Sequence, residues 1–142
     1  MTFVVTFEIP GLPIAKGRPR FARRGKFIST YTPVKTKTYE DIVRACARAA
    51  MGASEPLETP VAAYIYINMP VPKTYSKQRT KDCLSGKEKH TKRPDADNIG
   101  KAITDAMNEI IYMDDSQIVE LHIKKLYAEE PMVNVLVKEV LE

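Results

Sequence analysis

The sequence predicts an α+β domain in two layers, with a mixed four-stranded sheet, two main helices and the element order β-α-β-α-β-β. Three observations support this fold class. Four short segments alternate apolar and polar residues, two longer segments carry apolar residues at helical spacing, and Pro or Gly punctuates the boundaries. The chain has 142 residues, which is enough for one hydrophobic core, and no flexible linker divides it. We therefore expect a single domain over residues 1–142.

The N-terminal half is predicted to supply two strands and one helix. Apolar residues alternate with polar ones from Phe3 to Ile9, which predicts a strand with one buried face, and Pro10 ends it. Helical spacing from Lys35 to Met51, followed by Gly52, predicts the first helix. A second alternation from Val61 to Met69 predicts the next strand.

The C-terminal half is predicted to supply one helix and two strands. Apolar residues recur at i, i+3, i+4, i+7, i+8 and i+11 from Ile99 to Ile110, the strongest periodicity in the chain, which predicts a helix from about Asn98 to Glu109. Alternation over 119–123 and again over 133–137 predicts the last two strands. Right-handed crossovers would place both helices on one face of the sheet.

Basic residues are concentrated in two segments. Residues 16–37 hold eight basic residues and no acid, and residues 73–93 hold eight with two acids, so these segments carry +8 and +6 and the rest of the chain carries −10. Such segregation is typical of surfaces that bind a polyanion, although basic loops can also serve only solubility. The candidate DNA-binding residues are Lys16, Arg18, Arg20, Arg23, Arg24, Lys89, Lys92 and Arg93.

Neither basic segment shows a sustained period. Residues 16–37 contain aromatic side chains among the arginines and are predicted to form a long loop or a ragged hairpin; the aromatics suit either base contacts or core packing. Residues 73–93 are polar and are predicted to be a long loop that becomes ordered on contact with nucleic acid.

Composition excludes several classes of protein. No apolar run approaches the ~20 residues of a membrane span, and the N-terminus does not resemble a signal peptide, so we expect a cytoplasmic protein of a bacterial or phage-infected cell, with no membrane partner. Cys46 and Cys83 lack metal-ligand spacing, and we expect a structural thiol in the first helix and a loose thiol in a polar loop rather than a zinc site. No small-molecule organic cofactor is expected.

Two aspartates, Asp95 and Asp97, stand directly after the second basic segment and at the start of the second helix. They could be helix caps that complement the dipole, with Asp97 and Lys101 forming a favourable i, i+4 pair. They could instead hold a metal ion. These residues alone leave both interpretations open.

A third acid, Asp115 in "YMDDSQ", favours the metal. A helix of about 13 residues is ~20 Å long, and the connection from Ile110 to Asp115 can span at most ~20 Å. Asp115 can therefore reach the N-terminal half of the helix, while a turned connection would leave it near the middle, by Lys101. Converging carboxylates repel unless a cation lies between them, and such ligands suit Mg²⁺ or Mn²⁺. With a lysine nearby, this chemistry favours phosphodiester hydrolysis.

The segments "RPDADNIGKAITDAMN" and "YMDDSQI" together resemble the signature of the RusA family of Holliday-junction resolvases, and the early "GRPRF" and "TYTP" segments are similar to phage-type members. The resemblance covers most of the chain. It implies a Mg²⁺-dependent endodeoxyribonuclease, with Mn²⁺ able to substitute, that acts as a homodimer and resolves four-way DNA junctions by paired symmetric nicks in recombination and repair. By this resemblance Asp95, Asp97 and Asp115 would be catalytic metal ligands, Lys101 the catalytic lysine, and Asp114 and Asn98 supporting residues.

Two other functions are compatible with the residues. The protein could be a non-catalytic basic module that binds branched DNA, with the acids serving only as caps and ion pairs. It could also be a phosphoesterase on small or unbranched substrates.

Overall fold

A computed structural model describes residues 2–17, 20–25, 27–31 and 33–142. Within these residues the chain forms six strands, three α-helices and one 3₁₀ turn. The strands are β1 (Val4–Pro10), β2 (Arg20–Arg24), β3 (Phe27–Tyr31), β4 (Val61–Pro70), β5 (Ile118–Ala128) and β6 (Met132–Glu139); the helices are α1 (Val34–Met51), α2 (Lys77–Leu84) and α3 (Ala96–Ala106), and the 3₁₀ turn is Asp115–Gln117.

Four strands form the main sheet in the order β1-β6-β4-β5. β6 is antiparallel to both β1 and β4, whereas β4 and β5 are parallel. The prediction of an α+β fold with a mixed four-stranded sheet is therefore confirmed. β2 and β3 form a separate antiparallel hairpin, which is the hairpin alternative predicted for the first basic segment.

The core lies between one face of the main sheet and the helices α1 and α3. α1 packs against β1 and α3, and α3 packs against β5. The buried side chains come from alternate positions of the central strands, which is why the period of two was visible there: Ala63, Ile65, Ile67, Val133, Val135 and Val137. α3 lies close to β5 at Gly100, where an added Cβ would collide with the side chain of Ile123. The absence of a side chain at Gly100 therefore lets α3 lie close to Ile123 of β5.

The prediction of a loop over residues 73–93 was wrong, because the segment contains α2. This helix begins at the cap residue Ser76, whose hydroxyl oxygen accepts the backbone N–H of Arg79. The Arg79 guanidinium also bonds the Glu88 carboxylate and lies 3.7 Å from the centre of the Tyr75 ring. Cys83 is buried in α2 and is not a loose thiol. An eight-residue helix with so few apolar positions gives no detectable helical period, so its stability comes from these caps and pairs.

Several boundaries also differ from the sequence prediction. α3 is shorter than expected and ends at Ala106, and β5 continues to Ala128. β5 lies at an edge of the sheet, and for this reason Val119 and Leu121 are 60% and 49% exposed despite their alternation. No helix among the described residues is long and apolar enough to cross a membrane.

Candidate active site

The first turn of α3 presents the two aspartates of the D-A-D sequence to solvent. Asp95 occupies the N-cap position, yet its side chain accepts no capping hydrogen bond from the described residues. Asp97 lies in the first turn and is exposed. The capping hydrogen bond expected from the first interpretation is therefore not what holds this helix start, and both carboxylates remain available for other contacts.

Lys101 pairs with an acid further along α3. Its Nζ lies 2.9 Å from Asp105 Oδ1, an i, i+4 contact, rather than pairing with Asp97 one turn earlier. Lys16 Nζ, from the segment before the hairpin, lies 3.4 Å from the other oxygen of Asp105. The hydrogen bond and the neighbouring negative charges of Asp105, Asp115 and Glu40 raise the pKa of Lys101. Lys101 therefore stays cationic at neutral pH.

The connection from α3 to Asp115 folds back tightly. Tyr112 is fully buried, and its hydroxyl donates a hydrogen bond of 2.7 Å to the carbonyl of Thr104 in α3. Leu57 accepts the N–H of Met113 and donates its own N–H to Ile111, which ties the connection to the segment before β4. These contacts turn the chain back toward α3 before the acidic pair.

The sequence "DDSQ" forms a 3₁₀ turn that is capped by its first aspartate, Asp114, and begins with its second, Asp115. Asp114 Oδ2 accepts the Ser116 N–H, and Gln117 Oε1 accepts the Asp114 N–H, each at 2.9 Å, in a reciprocal capping box. The hydrogen bonds from Ser116 lower the pKa of Asp114. The Gln117 amide also donates to the carbonyls of Leu57 and Thr59. Asp114 thus has a structural part in placing its neighbour.

Asp115 lies against Asp105 and near Lys101. Partial burial, a hydrogen bond with the Asp105 side chain, and the charges of Asp105 and Asp114 raise the pKa of Asp115, while Lys101 opposes this shift. Its position beside the second half of α3 matches the turned connection considered from the sequence. Two carboxyl groups in contact repel each other once both are ionised, so this pair gains most from a nearby cation.

The acids are not all assembled at one point. Within residues 2–17, 20–25, 27–31 and 33–142, no three side chains of His, Cys, Asp or Glu are arranged to hold a metal ion. The structure brings Asp115 together with Lys101 and Asp105, and it keeps Asp95 and Asp97 at the exposed start of the same helix. The oxygen donors along this stretch of α3 match the chemistry of a hard divalent cation.

The sequence of this chain matches a known protein family. The family model "Endodeoxyribonuclease RusA" matches residues 10–138. The chain belongs to the RusA endodeoxyribonuclease family. It is also 36% identical over 139 residues, 96% of each chain, to a protein of Bacillus subtilis (strain 168) described as "Uncharacterized protein YqaN". The RusA match makes this chain a nuclease of a family that resolves branched DNA and generally depends on a divalent metal.

The structure describes the predicted DNA-binding residues of the first basic segment to different extents. Arg18 lies outside the described residues, and for Arg20 and Arg24 the structure describes only the backbone in β2. Arg23 is exposed. Lys16, also predicted to bind DNA, lies 2.7 Å from Glu40 and 3.4 Å from Asp105.

The second basic segment ends directly before Asp95, at the start of α3. Lys89, Lys92 and Arg93 are exposed, which suits contact with a phosphate backbone. Lys125 of β5 donates to the carbonyls of Lys92 and Pro94 at 2.6 and 2.8 Å. This contact fixes the end of the basic segment to the sheet, directly before the first aspartate.

Two acids of the site were missed by sequence reasoning. Asp105 was given no role, although its i, i+4 spacing from Lys101 was a usable signal. Glu40 of α1 gave no signal, because its proximity to Lys16 depends on how α1 and α3 pack.

Proposed function

We propose that this RusA-family nuclease is a Mg²⁺-dependent enzyme that resolves four-way DNA junctions by paired nicks, with Asp95, Asp97, Asp115 and Lys101 as its catalytic residues. The observation that carries the proposal is the family match over 10–138, together with the Lys101–Asp105 ion pair on α3, whose charges act on Asp115. Mn²⁺ is expected to substitute for Mg²⁺, because both accept carboxylate oxygens as ligands.

The chemistry of the oxygen donors suits a hard divalent cation, and binding would draw together acids that the described residues hold apart. Asp95, Asp97 and Asp115 would hold the ion, since their oxygens are the ligands Mg²⁺ takes in sites that also bind phosphate. When bound, the ion supplies activation of a water molecule and stabilisation of negative charge on the phosphate. Asp114 supports this set by holding the turn that carries Asp115, and Asn98 supports it through its carbonyl, which accepts the Lys16 N–H at 2.8 Å.

Lys101 would stabilise the negative charge that develops on the scissile phosphate. Its ammonium is held by Asp105 at 2.9 Å, yet its side chain remains 59% exposed, so a phosphate can approach it from solvent. A fixed cation placed where charge develops lowers the barrier because little reorganisation is needed during the reaction.

Paired symmetric nicks require two active sites. We propose a homodimer, because a two-fold axis places two identical sites at matched positions on the opposed strands of a junction. Light scattering of the protein alone and with junction DNA measures this state, and a strictly monomeric protein on a junction would contradict paired cutting by one complex.

The direct test incubates end-labelled four-way junction and linear duplex of the same sequences with the protein. We expect Mg²⁺-dependent nicks at symmetric positions in the junction, little cutting of the duplex, and no cutting with a chelator. Metal-dependent cutting of the linear duplex or of nucleotides at an equal rate would indicate a less selective phosphoesterase.

Binding without nicks, with any of Mg²⁺, Mn²⁺ or chelator, would indicate instead a non-catalytic module for branched DNA. The labelled junction therefore separates the proposed function from both alternatives considered from the sequence.

We expect Arg93→Ala to weaken junction binding by removing a phosphate contact. Each such contact contributes about 0.9 to the slope of log affinity against log salt concentration, so the slope should fall by about one unit. Fluorescence anisotropy over a salt series measures it. Arg48→Ala is the matched control, because Arg48 is exposed on α1 outside both basic segments. An equal slope for Arg93→Ala and the control would contradict a phosphate contact at Arg93.

A further inference from the structure

Glu40 of α1 holds a lysine that belongs to the basic segment. Glu40 Oε2 accepts a hydrogen bond of 2.7 Å from Lys16 Nζ, and their side chains are 9% and 25% exposed. A carboxylate so nearly buried is costly to keep charged unless it is paired. The Glu40–Lys16 pair is therefore shielded from solvent, whereas the neighbouring pair of Asp41 and Arg44 is more exposed.

Backbone hydrogen bonds hold the segment around Lys16 in position, independently of the contacts of the Lys16 side chain. The Lys16 N–H donates to the Asn98 carbonyl at 2.8 Å, and the Gly17 N–H donates to Thr36 Oγ1 at 2.9 Å. The Thr36 hydroxyl donates in turn to the Ala15 carbonyl at 3.3 Å. The segment is thus fastened to α3 on one side and to α1 on the other, so the Lys16 ammonium enters a fixed space between the two helices.

From this place Lys16 reaches the acid that joins the active-site residues. Lys16 Nζ is 3.4 Å from Asp105 Oδ2, and the second oxygen of Asp105 is 2.9 Å from Lys101 Nζ. Asp105 therefore joins two lysines, one from the segment before the hairpin and one from α3. A continuous series of contacts therefore runs from Glu40 through Lys16 and Asp105 to Lys101.

We propose that Glu40 is a positioning residue: it anchors Lys16 against Asp105, and the anchored Asp105 orients Lys101 for cleavage. This inference rests on the proposed function of the site. Without the Glu40 charge, Lys16 has a single acid left and a long flexible side chain, so it can turn toward solvent or DNA phosphate. Asp105 would then lose one of the two cations that fix its two oxygens.

The test compares Glu40→Gln with Asp41→Asn, a neutralised acid one position along the same helix. Under saturating protein, we expect Glu40→Gln to slow junction cleavage about 10-fold, the lower end of what is typical when a residue that orients a functional side chain is lost. Junction affinity should change less than about 2-fold, since the lost interaction acts on the chemical step. Asp41→Asn should cleave and bind as the unmodified protein does.

A double substitution tests whether Glu40 acts through Lys16. If it does, Glu40→Gln should have almost no further effect on the cleavage rate of Lys16→Met, because removing either partner breaks the same series of contacts. Independent, multiplying effects would overturn the proposed route. Labelling with an amine-reactive reagent, followed by mass spectrometry, measures the accessibility of the Lys16 amine and does not depend on DNA cleavage. Lys16 should react several-fold faster in Glu40→Gln than in Asp41→Asn, because its ion pair with residue 40 is lost.

The outcomes separate this inference from the proposed function. Cleavage by Glu40→Gln at the unmodified rate, or a parallel loss of cleavage, affinity and thermal stability, would overturn a positioning role. Absence of cleavage by the unmodified protein with Mg²⁺ or Mn²⁺ would instead overturn the proposed function, and the positioning role with it, while the labelling result would still report the Lys16 pair.

Discussion

Asp97→Asn is expected to abolish cleavage of a four-way junction by the protein while leaving junction binding unchanged or tighter. Asparagine keeps the size of the side chain and a carbonyl oxygen but loses the negative charge that a divalent cation requires. A metal contributes several kcal/mol of transition-state stabilisation, and each 1.36 kcal/mol is tenfold in rate, so the loss should exceed about 100-fold. Binding persists because it depends on basic residues, and removing one acid reduces repulsion of the phosphate backbone.

The measurement is a single-turnover cleavage rate with Mg²⁺, beside anisotropy of the same labelled junction in chelator. Asp41→Asn again serves as the control, because it removes an exposed acid that lies on α1. Asp97 is exposed and lies at a helix start, so the variant should fold normally. Cleavage of the junction by Asp97→Asn at a rate near that of the unmodified protein would contradict a metal-holding role.

The positions of the site residues on their elements could be predicted, but their contacts could not. The strong period of α3 placed Asp97 and Lys101 on this helix, and simple chain reach placed Asp115 near it. Asp97 and Asp105 each lie four residues from Lys101, so the spacing alone does not determine which acid forms the ion pair. In the structure Lys101 pairs with Asp105. Glu40 joins the site only because α1 packs against α3, and no local pattern reports a tertiary contact of that kind.

The same division holds for the fold. Strands with one buried face and long amphipathic helices were visible because burial imposes a period on the sequence. α2 was not visible, since its single buried side chain, Cys83, cannot produce a period. The placement of β6 between β1 and β4 is a choice among strand orders that the alternation of each strand does not determine.

One local signal was present and not used. Asp114 and Gln117 stand three residues apart, the spacing of a capping box. In the structure this box and the bonds from Gln117 to Leu57 and Thr59 hold the turn. The two aspartates of the motif therefore have different environments. The Asp114 carboxylate accepts a hydrogen bond within the turn, whereas the Asp115 carboxyl is near Asp105.

Tyr112→Ala is expected to destabilise the protein strongly and to disorganise the connection that carries Asp115. Tyr112 is fully buried, and emptying the site of a large aromatic side chain costs about 3–5 kcal/mol in the free energy of unfolding. Burial and the nearby charges of Asp115, Asp105 and Asp114 raise the pKa of Tyr112, so its hydroxyl stays protonated and keeps its hydrogen bond to Thr104 at ordinary pH. Urea denaturation followed by circular dichroism measures the loss.

Tyr112→Phe separates packing from that hydrogen bond. Phenylalanine fills the same space, and the Thr104 carbonyl loses one donor, which should cost about 1–2 kcal/mol. If the ring alone positions the connection, Tyr112→Phe should cleave junctions at close to the unmodified rate, while Tyr112→Ala, assayed at a temperature where it is folded, should cleave far more slowly. A stability loss below about 1 kcal/mol for Tyr112→Ala would contradict the packing role, because it would mean that the site collapses without cost. Slow cleavage by a stable Tyr112→Phe would show instead that the 2.7 Å hydrogen bond to Thr104 itself sets the position of Asp115.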